Sequence, residues 1–145
     1  MSKINNFLTA DQEAEIIEAI RKAEHATSGE IRVHIERTVT TDPMEHAIKV
    51  FHLLKMENTK ERNGVLIYVA VESKVFVILG DQGINEAVPD DFWNSTKDLI
   101  QSHFKKGEFK TGIVEGIVKA GEQLQKYFPW EKGDKNELSD EISKS

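Results

Sequence analysis

Hydrophobic and polar positions follow two different periods along this chain, and each change of period marks a predicted element. An apolar residue recurs every three or four positions over four stretches, which is typical of amphipathic helices that pack on one side. The sequence therefore predicts helices over residues 10–26, 43–58, 90–106 and 111–127. Thr9 precedes a helix with Gln at its third position, and Asp42 precedes a Pro, so both residues are expected to cap their helices.

Three further segments carry the patterns of β-strands. Residues 30–36 alternate between apolar and polar side chains, as expected for a strand with one well-covered face. The apolar run from Val65 to Val71 has no alternation and is rich in β-branched residues, which is typical of a central strand covered on both faces. The short turn at Glu72 and Ser73 leads into residues 75–79, so the third strand is expected to run antiparallel to the central one.

The order of these elements predicts the fold. A helix between the first two strands makes them parallel, with a right-handed crossover. The whole pattern predicts an α/β/α sandwich, in which a small mixed central sheet carries helices on both faces. The order of strands beyond one parallel and one antiparallel neighbour stays open.

Residues 1–130 are expected to form a single domain, and residues 131–145 an acidic C-terminal tail. Leu138 and Ile142 are the apolar residues of that tail, and they stand four positions apart. The tail is therefore expected to be either flexible or lightly docked through one helical turn.

Composition narrows the classes of function. The 145 residues carry a formal net charge of −6 and include no cysteine. A nucleic-acid surface needs clustered Lys and Arg, so no nucleic-acid partner is expected. The absence of cysteine excludes thiol chemistry.

No stretch approaches the about 20 apolar residues that cross a bilayer, and the N-terminus lacks the apolar core of a secretion signal. We therefore expect no membrane segment and a cytoplasmic location.

Acidic side chains are expected to converge at one edge of the sheet. Glu30 begins the first strand, Glu61 precedes the parallel central strand, and Asp81 follows the antiparallel third strand. Asp90 and Asp91 join them if the next loop folds back to the same edge. Carboxylates in a chain without thiols are ligands for hard cations, so this edge predicts a site for Ca²⁺ or Mg²⁺, with enough carboxylates for two ions.

The same acidic residues also have simpler interpretations. Asp90 and Asp91 follow a Pro and are ordinary residues for the start of a helix, and Asp81 follows a Gly as turn residues often do. Glu30 could pair with Arg62 instead of binding a metal.

The histidines do not suggest a second metal site. None of them has the H-x-x-x-H or H-E-x-x-H spacing of zinc ligands, and they fall in five different predicted places. We therefore expect them to lie at the surface or at the edge of the core. These residues are His25, His34, His46, His52 and His103.

Four blocks of the chain resemble the TPM domain family, which takes in thylakoid-lumen and photosystem II repair proteins and an animal receptor modulator. The resemblance runs over residues 10–129, and the order and spacing of the blocks make it specific. The chain looks most like short stand-alone bacterial versions of this domain. The four blocks span residues 27–33, 62–70, 78–85 and 104–109.

The resemblance implies an α/β/α sandwich and, as in several members, divalent cations such as calcium bound at the acidic loops. Carried over by position, it favours Asp81, Asp90 and Asp91 as ligands, with Glu30 and Glu61 as further members of the set. Some members of the family have been called acid phosphatases.

Three functions follow as hypotheses. The first is a metal-responsive binding or regulatory module with an unknown protein partner. The second is a metal-assisted acid phosphatase that acts on phosphate monoesters, with one or two ions polarising a phosphoryl oxygen. The third is a plain scaffold that makes its contact through the tail. The oligomeric state stays open.

Overall fold

The structure is a computed structural model, and it describes residues 8–130 and 142–144. Thr9 caps the first helix through the predicted capping box, and Asp42 caps the second. The elements run in the order α1 (Ala10–Ala26), β1 (Glu30–Glu36), α2 (Pro43–Leu53), β2 (Gly64–Ala70), β3 (Val75–Gly80), α3 (Gln82–Ala87), α4 (Asn94–Lys105), α5 (Phe109–Gln125) and β4 (Ser143–Lys144).

The strands form one mixed sheet in the order β3-β2-β1-β4. β1 runs parallel to β2, with Glu30 opposite Gly64 and Glu36 opposite Ala70. β2 runs antiparallel to β3, with Val65 opposite Gly80. Both predicted pairings are therefore confirmed, and β2 is buried along its whole length, as its unbroken apolar run predicts.

Helices cover both faces of the sheet. α2 lies on one face, where its buried side chains meet Leu66 and Tyr68 of β2. α1, α4 and α5 lie on the other face, around a larger core that includes Ile31 of β1 and Ile67 of β2. The alternate residues of one central strand thus supply two separate cores. The predicted α/β/α sandwich is confirmed.

α2 ends at Leu53, earlier than predicted, because the chain closes the helix with a backbone motif. Lys55 has a positive φ of 55°. Its amide donates to the carbonyl of His52, and the amide of Met56 donates to that of Phe51, each at 3.0 Å. This is the Schellman arrangement, and the burial of Phe51 and Met56 supplies its usual apolar contact.

The segment predicted to be an acidic loop contains a helix of its own. Asp81 caps α3, and α3 occupies the middle of the segment. Asp90 and Asp91 then lie in a turn, and Trp93 occupies the N-cap position of α4. The prediction that Asp90 or Asp91 starts this helix is therefore wrong.

The end of the chain adds a fourth strand. β4 pairs parallel to β1, with Ser143 opposite His34 and Lys144 opposite Ile35. Ile142 packs against the larger core as part of this extended segment and not in a helical turn. Leu138 lies outside the described residues. No helix within residues 8–130 and 142–144 is both long enough and apolar enough to cross a membrane.

The packing of α5 on the sheet gives a direct test of the core. Ile117 is fully buried, whereas its neighbour Val118 is 41% exposed. We expect Ile117→Ala to lower the free energy of unfolding by about 2–5 kcal/mol because it leaves a cavity. Val118→Ala should change it by no more than about 0.5 kcal/mol. Urea unfolding followed by circular dichroism measures both, and similar losses would contradict this assignment of faces.

Candidate functional site

The topology brings three of the predicted acidic residues to one edge of the sheet. Glu30 stands at the start of β1, in register with Gly64 at the start of β2. Glu61 lies in the segment that leads into β2, and Asp81 directly follows β3. Glu30 and Asp81 are buried, at 3% and 6% exposure, whereas Glu61 is exposed.

Backbone contacts tie the two loops of this edge together. The amide of Asp81 donates to the carbonyl of Gly64 at 2.9 Å, and the amide of Gly83 donates to that of Arg62 at 2.8 Å. A Cβ at Gly83 would lie 2.1 Å from the carbonyl oxygen of Glu61. Only glycine therefore allows the first turn of α3 to approach so closely.

Arg62 and Asp81 close the same junction through their side chains. Arg62 donates hydrogen bonds to both oxygens of the Asp81 carboxylate, from Nε at 2.8 Å and from a terminal nitrogen at 3.0 Å. Hydrogen bonding to this carboxylate raises the pKa of Arg62 above its ordinary value. Asp81 also accepts from the amide of Gln82 at 2.7 Å. Arg62 therefore pairs with Asp81, not with Glu30 as the simpler interpretation of the sequence proposed.

Asn63 is the unusual polar residue of the edge. It is 1% exposed, and its Oδ1 has no hydrogen-bond donor within the described residues. Its Nδ2 donates to Ser28 Oγ at 3.4 Å, and Ser28 Oγ donates to the Glu61 carboxylate at 3.2 Å. Its backbone carbonyl accepts from the amide of Glu30 at 3.2 Å. A buried acceptor without a donor costs about 1–3 kcal/mol, so Asn63 Oδ1 is suited to a positive ligand.

Asp90 and Asp91 are exposed in the turn before α4. α3 separates them from Asp81, and its six residues span about 9 Å. Within residues 8–130 and 142–144, no hydrogen bond or ion pair joins Asp90 or Asp91 to Glu61 or Asp81. The same part of the chain contains no group of three or more His, Cys, Asp or Glu residues arranged to hold a metal ion.

The oxygen donors at the edge are therefore mixed in type. Asn63, Ser28 and Glu61 form one connected group of an amide, a hydroxyl and a carboxylate. Hard cations accept all three kinds of oxygen. Asp81, in contrast, already uses both of its oxygens in hydrogen bonds. These three side chains are the oxygen donors at the edge that could hold a hard cation.

A second polar cluster lies beneath α2, and the sequence analysis missed it. The Glu36 carboxylate accepts from Nε2 of His34 at 3.2 Å, from Nε2 of His46 at 2.8 Å, and from the hydroxyl of Tyr68. His34 and His46, which the sequence places on different elements, therefore converge on one carboxylate, and His34 is buried. His34 and Glu36 stand two residues apart on β1 and share a face, which was visible in the sequence. The sequence did not show that His46 of α2 contacts the same carboxylate.

Burial controls the chemistry of this cluster. Burial lowers the pKa of His34, which is only 4% exposed. Burial, together with the hydrogen bond to Glu36, raises the pKa of the Tyr68 hydroxyl. The neutral His34 ring donates through Nε2, and its Nδ1 lies 2.9 Å from Ser143 Oγ in β4. The cluster thus connects α2 to the C-terminal strand.

The fold and its sheet edge define a small mixed α/β sandwich domain. The chain matches the family model described as the TPM domain over residues 2–123. It therefore belongs to the TPM domain family, as the resemblance of its four sequence blocks implied. Comparison with curated proteins gives no match.

Solved structures show the same fold. The NMR structure of the BA42 protein from the psychrophilic bacterium Bizionia argentinensis is 61% identical, covers 100% of both chains and has a TM-score of 0.94. The N-terminal domain of a protein from P. gingivalis is 18% identical over 84% of this chain and 79% of that chain, with a TM-score of 0.71. The N-terminal domain of the cg2496 protein from Corynebacterium glutamicum is 12% identical over 88% of this chain and 78% of that chain, with a TM-score of 0.61. At 18% and 12% identity, the likeness shows the fold alone.

The Arg62–Asp81 pair gives a prediction for this edge. Asp81→Asn removes the charge that holds the guanidinium, so we expect the free energy of unfolding to fall by about 1–2 kcal/mol. Asp90→Asn is the matched control, because Asp90 is exposed, and it should change stability by no more than about 0.5 kcal/mol. Urea unfolding measures both. Equal effects of the two substitutions would show that the pair does not hold the junction.

The histidines predict two opposite pH dependences of stability. His34 has a folded-state pKa below its ordinary value of 6.5, so its neutral form stabilises the protein above that pH and the contribution is lost as the pH falls. Hydrogen bonding to Glu108, and then to Glu115, raises the pKa of His103. Its contribution is therefore present below pH 6.5 and is lost as the pH rises through the folded-state pKa.

Unfolding free energies measured from roughly pH 7.5 to 5.5 test both signs. His34→Gln should lose less stability on acidification than the unsubstituted protein does, and His103→Gln should lose more. Parallel pH profiles for all three proteins would contradict the assignment.

Proposed function

We propose that this TPM domain binds a divalent cation, Ca²⁺ or Mg²⁺, at the sheet edge where β1 and β2 begin, and that the ion-ordered edge serves as a binding or regulatory surface for a protein partner. The observation that supports this proposal most directly is the buried Oδ1 of Asn63, which has no donor within the described residues. An oxygen ligand of this kind suits both ions.

The residues that would hold the ion surround Asn63. Ser28 Oγ and the Glu61 carboxylate are joined to its side-chain amide through hydrogen bonds. Glu30 begins β1 beside it and is joined to it through the backbone. Glu61 is exposed, so it can supply charge while leaving room for water ligands, which Mg²⁺ in particular retains.

Asp81 has a different role in this proposal. Its carboxylate holds Arg62, and the backbone on either side of Arg62 leads to Glu61 and Asn63. Asp81 therefore positions the ligands and does not donate to the ion. A second ion would have to use Asp90 and Asp91, and it has less support because both residues are exposed.

Hydrolysis of phosphate monoesters is the alternative, and it too has less support. In a phosphatase of this type the bound ion polarises a phosphoryl oxygen and activates water, and a nearby Arg side chain that is free to move can steady the developing charge. Arg62, between Glu61 and Asn63 in the sequence, is a candidate for this role, but it already donates to both oxygens of the Asp81 carboxylate. A binding role needs no such free group.

Calorimetric titration with CaCl₂ and with MgCl₂ tests the proposal. We expect saturable binding to the unsubstituted protein and at least a roughly tenfold loss of affinity in Glu61→Gln, which corresponds to about 1.4 kcal/mol. Asp90→Asn and Asp91→Asn serve as matched controls, because each removes one exposed carboxylate from the other acidic segment. Both should keep the affinity within about twofold, a difference well below that of one lost ligand.

Three results would contradict the proposal. Absence of binding heat with both ions, at two temperatures, would reject cation binding. Loss of affinity in Asp91→Asn, with Glu61→Gln unchanged, would place the ion at the turn before α4. Turnover of p-nitrophenyl phosphate that requires the added ion, and that is lost in Glu61→Gln, would favour the phosphatase.

A further inference from the structure

We propose that the outer edge of β3 binds an extended acidic peptide as an added β-strand, in a groove between α2 and α4. The groove lies on the β3 side of the sheet, away from the edge where β1 and β2 begin. It has an apolar floor and a lysine rim, and the backbone of β3 runs along it. Its lining residues are Met44, Lys74–Ile78, Lys97, Gln101, Phe104, Lys105, Gly107 and Phe109.

Among the residues that the structure describes, the sheet leaves one side of β3 open to a new strand. β3 is the terminal strand of the sheet and pairs with β2 on its other side. The amide of Asp81 donates to Gly64, so the alternation of an antiparallel ladder turns the backbone groups of Phe76 and Ile78 away from β2. Within residues 8–130 and 142–144, no backbone hydrogen bond from another segment reaches either residue. An open row of this kind is a template for strand addition.

The groove has the size and floor that a peptide needs. Its volume is about 830 Å³. Phe76 of β3 contacts Phe104 of α4 with ring centroids 5.4 Å apart, and Phe104 contacts Phe109 at 5.0 Å. On the opposite side, Met44 of α2 is 43% exposed. Met44 can therefore cover apolar side chains of an added strand on the α2 side, and the rings on the α4 side can cover the methylene groups of longer acidic side chains such as Glu.

The positive charge of the groove indicates the kind of partner that it binds. Lys74, Lys97 and Lys105 line it, and no acidic residue of the described part of the chain does. Within the described residues, none of these lysines forms an ion pair. The chain as a whole has a net charge of −6, so this groove is a local exception that favours a negatively charged ligand.

The order of acidic and apolar residues in the peptide follows from the two helices that flank the groove. Lys97 and Lys105 belong to α4, whereas Met44 belongs to α2 on the other face of the sheet. Successive side chains of a strand point to opposite faces. The best ligand therefore alternates acidic residues, which face α4, with apolar residues, which face α2.

A second copy of this chain is a poorer occupant. A symmetric dimer brings the same patch of both copies together, which would place the three lysines of one groove against those of the other. An anionic membrane surface supplies the charge, but it supplies no backbone groups to pair with β3.

The experiment uses a capped, fluorescein-labelled octapeptide in which Glu alternates with Val or Ile. Fluorescence anisotropy gives its affinity for the full chain, and ¹⁵N spectra locate its site. We expect saturable binding, with shifts and slowed hydrogen exchange at the Phe76 and Ile78 amides. Methylating the backbone nitrogens on one edge of the peptide should abolish binding, and methylating those on the other edge should not, because one edge pairs with β3.

Charge reversal provides the matched variants. Lys97→Glu with Lys105→Glu should weaken binding at least tenfold. Lys22→Glu with Lys126→Glu changes the net charge equally at exposed positions outside the groove, and it should preserve affinity within about threefold. All four positions are exposed, so both variants should fold.

Four outcomes would overturn the proposal. The first is that a peptide with Lys in place of Glu binds equally well, and the second is that methylation of neither edge affects binding. The third is that the protein dimerises without peptide and so protects the same amides. The fourth is that the protein binds phosphatidylserine vesicles but does not bind the peptide. Calcium is omitted throughout, so failure here leaves the cation proposal intact, and loss of calorimetric binding leaves this one intact.

Discussion

The close approach of the first turn of α3 to the segment before β2 is the contact on which the proposed cation-binding edge depends. Gly83 permits this approach because a side chain at that position would collide with the carbonyl oxygen of Glu61. Two backbone hydrogen bonds and the Arg62–Asp81 pair then hold the segments together. Asn63 is buried next to this junction, whereas Glu61, two residues earlier in the chain, remains at the surface.

This constraint places two acidic residues that the sequence assigned to one site in different surroundings. Asp81 is held by Arg62 and by the start of α3, so it serves the architecture of the edge. Glu61 is exposed and touches the hydroxyl that also meets Asn63. The family to which the chain belongs is set by its whole fold, whereas the proposed cation chemistry rests on these few oxygen atoms.

The sequence predicted the fold well because its strands and long helices have strong periodic patterns. The parallel and antiparallel partners of β2, and the convergence of Glu30, Glu61 and Asp81, followed from strand direction alone. α3 was missed because six residues that include Gly and Asn carry no helical period, and tertiary contacts stabilise it. The Glu36 cluster was half visible in β1, but His46 reaches it only through the packing of α2. The short pairing of β4 with β1 left no pattern in an acidic tail.

The most direct measurement is a titration of ¹⁵N-labelled protein with CaCl₂, with the side-chain amide resonances of Asn63 as the observable. The account predicts that these resonances shift saturably, together with the backbone amides of Ser28 and Glu61, because Asn63 Oδ1 becomes a ligand. The backbone amide resonances of Asp90 and Asp91 should shift little. Unchanged Asn63 resonances, with saturable shifts confined to the turn of Asp90 and Asp91, would contradict the proposed site.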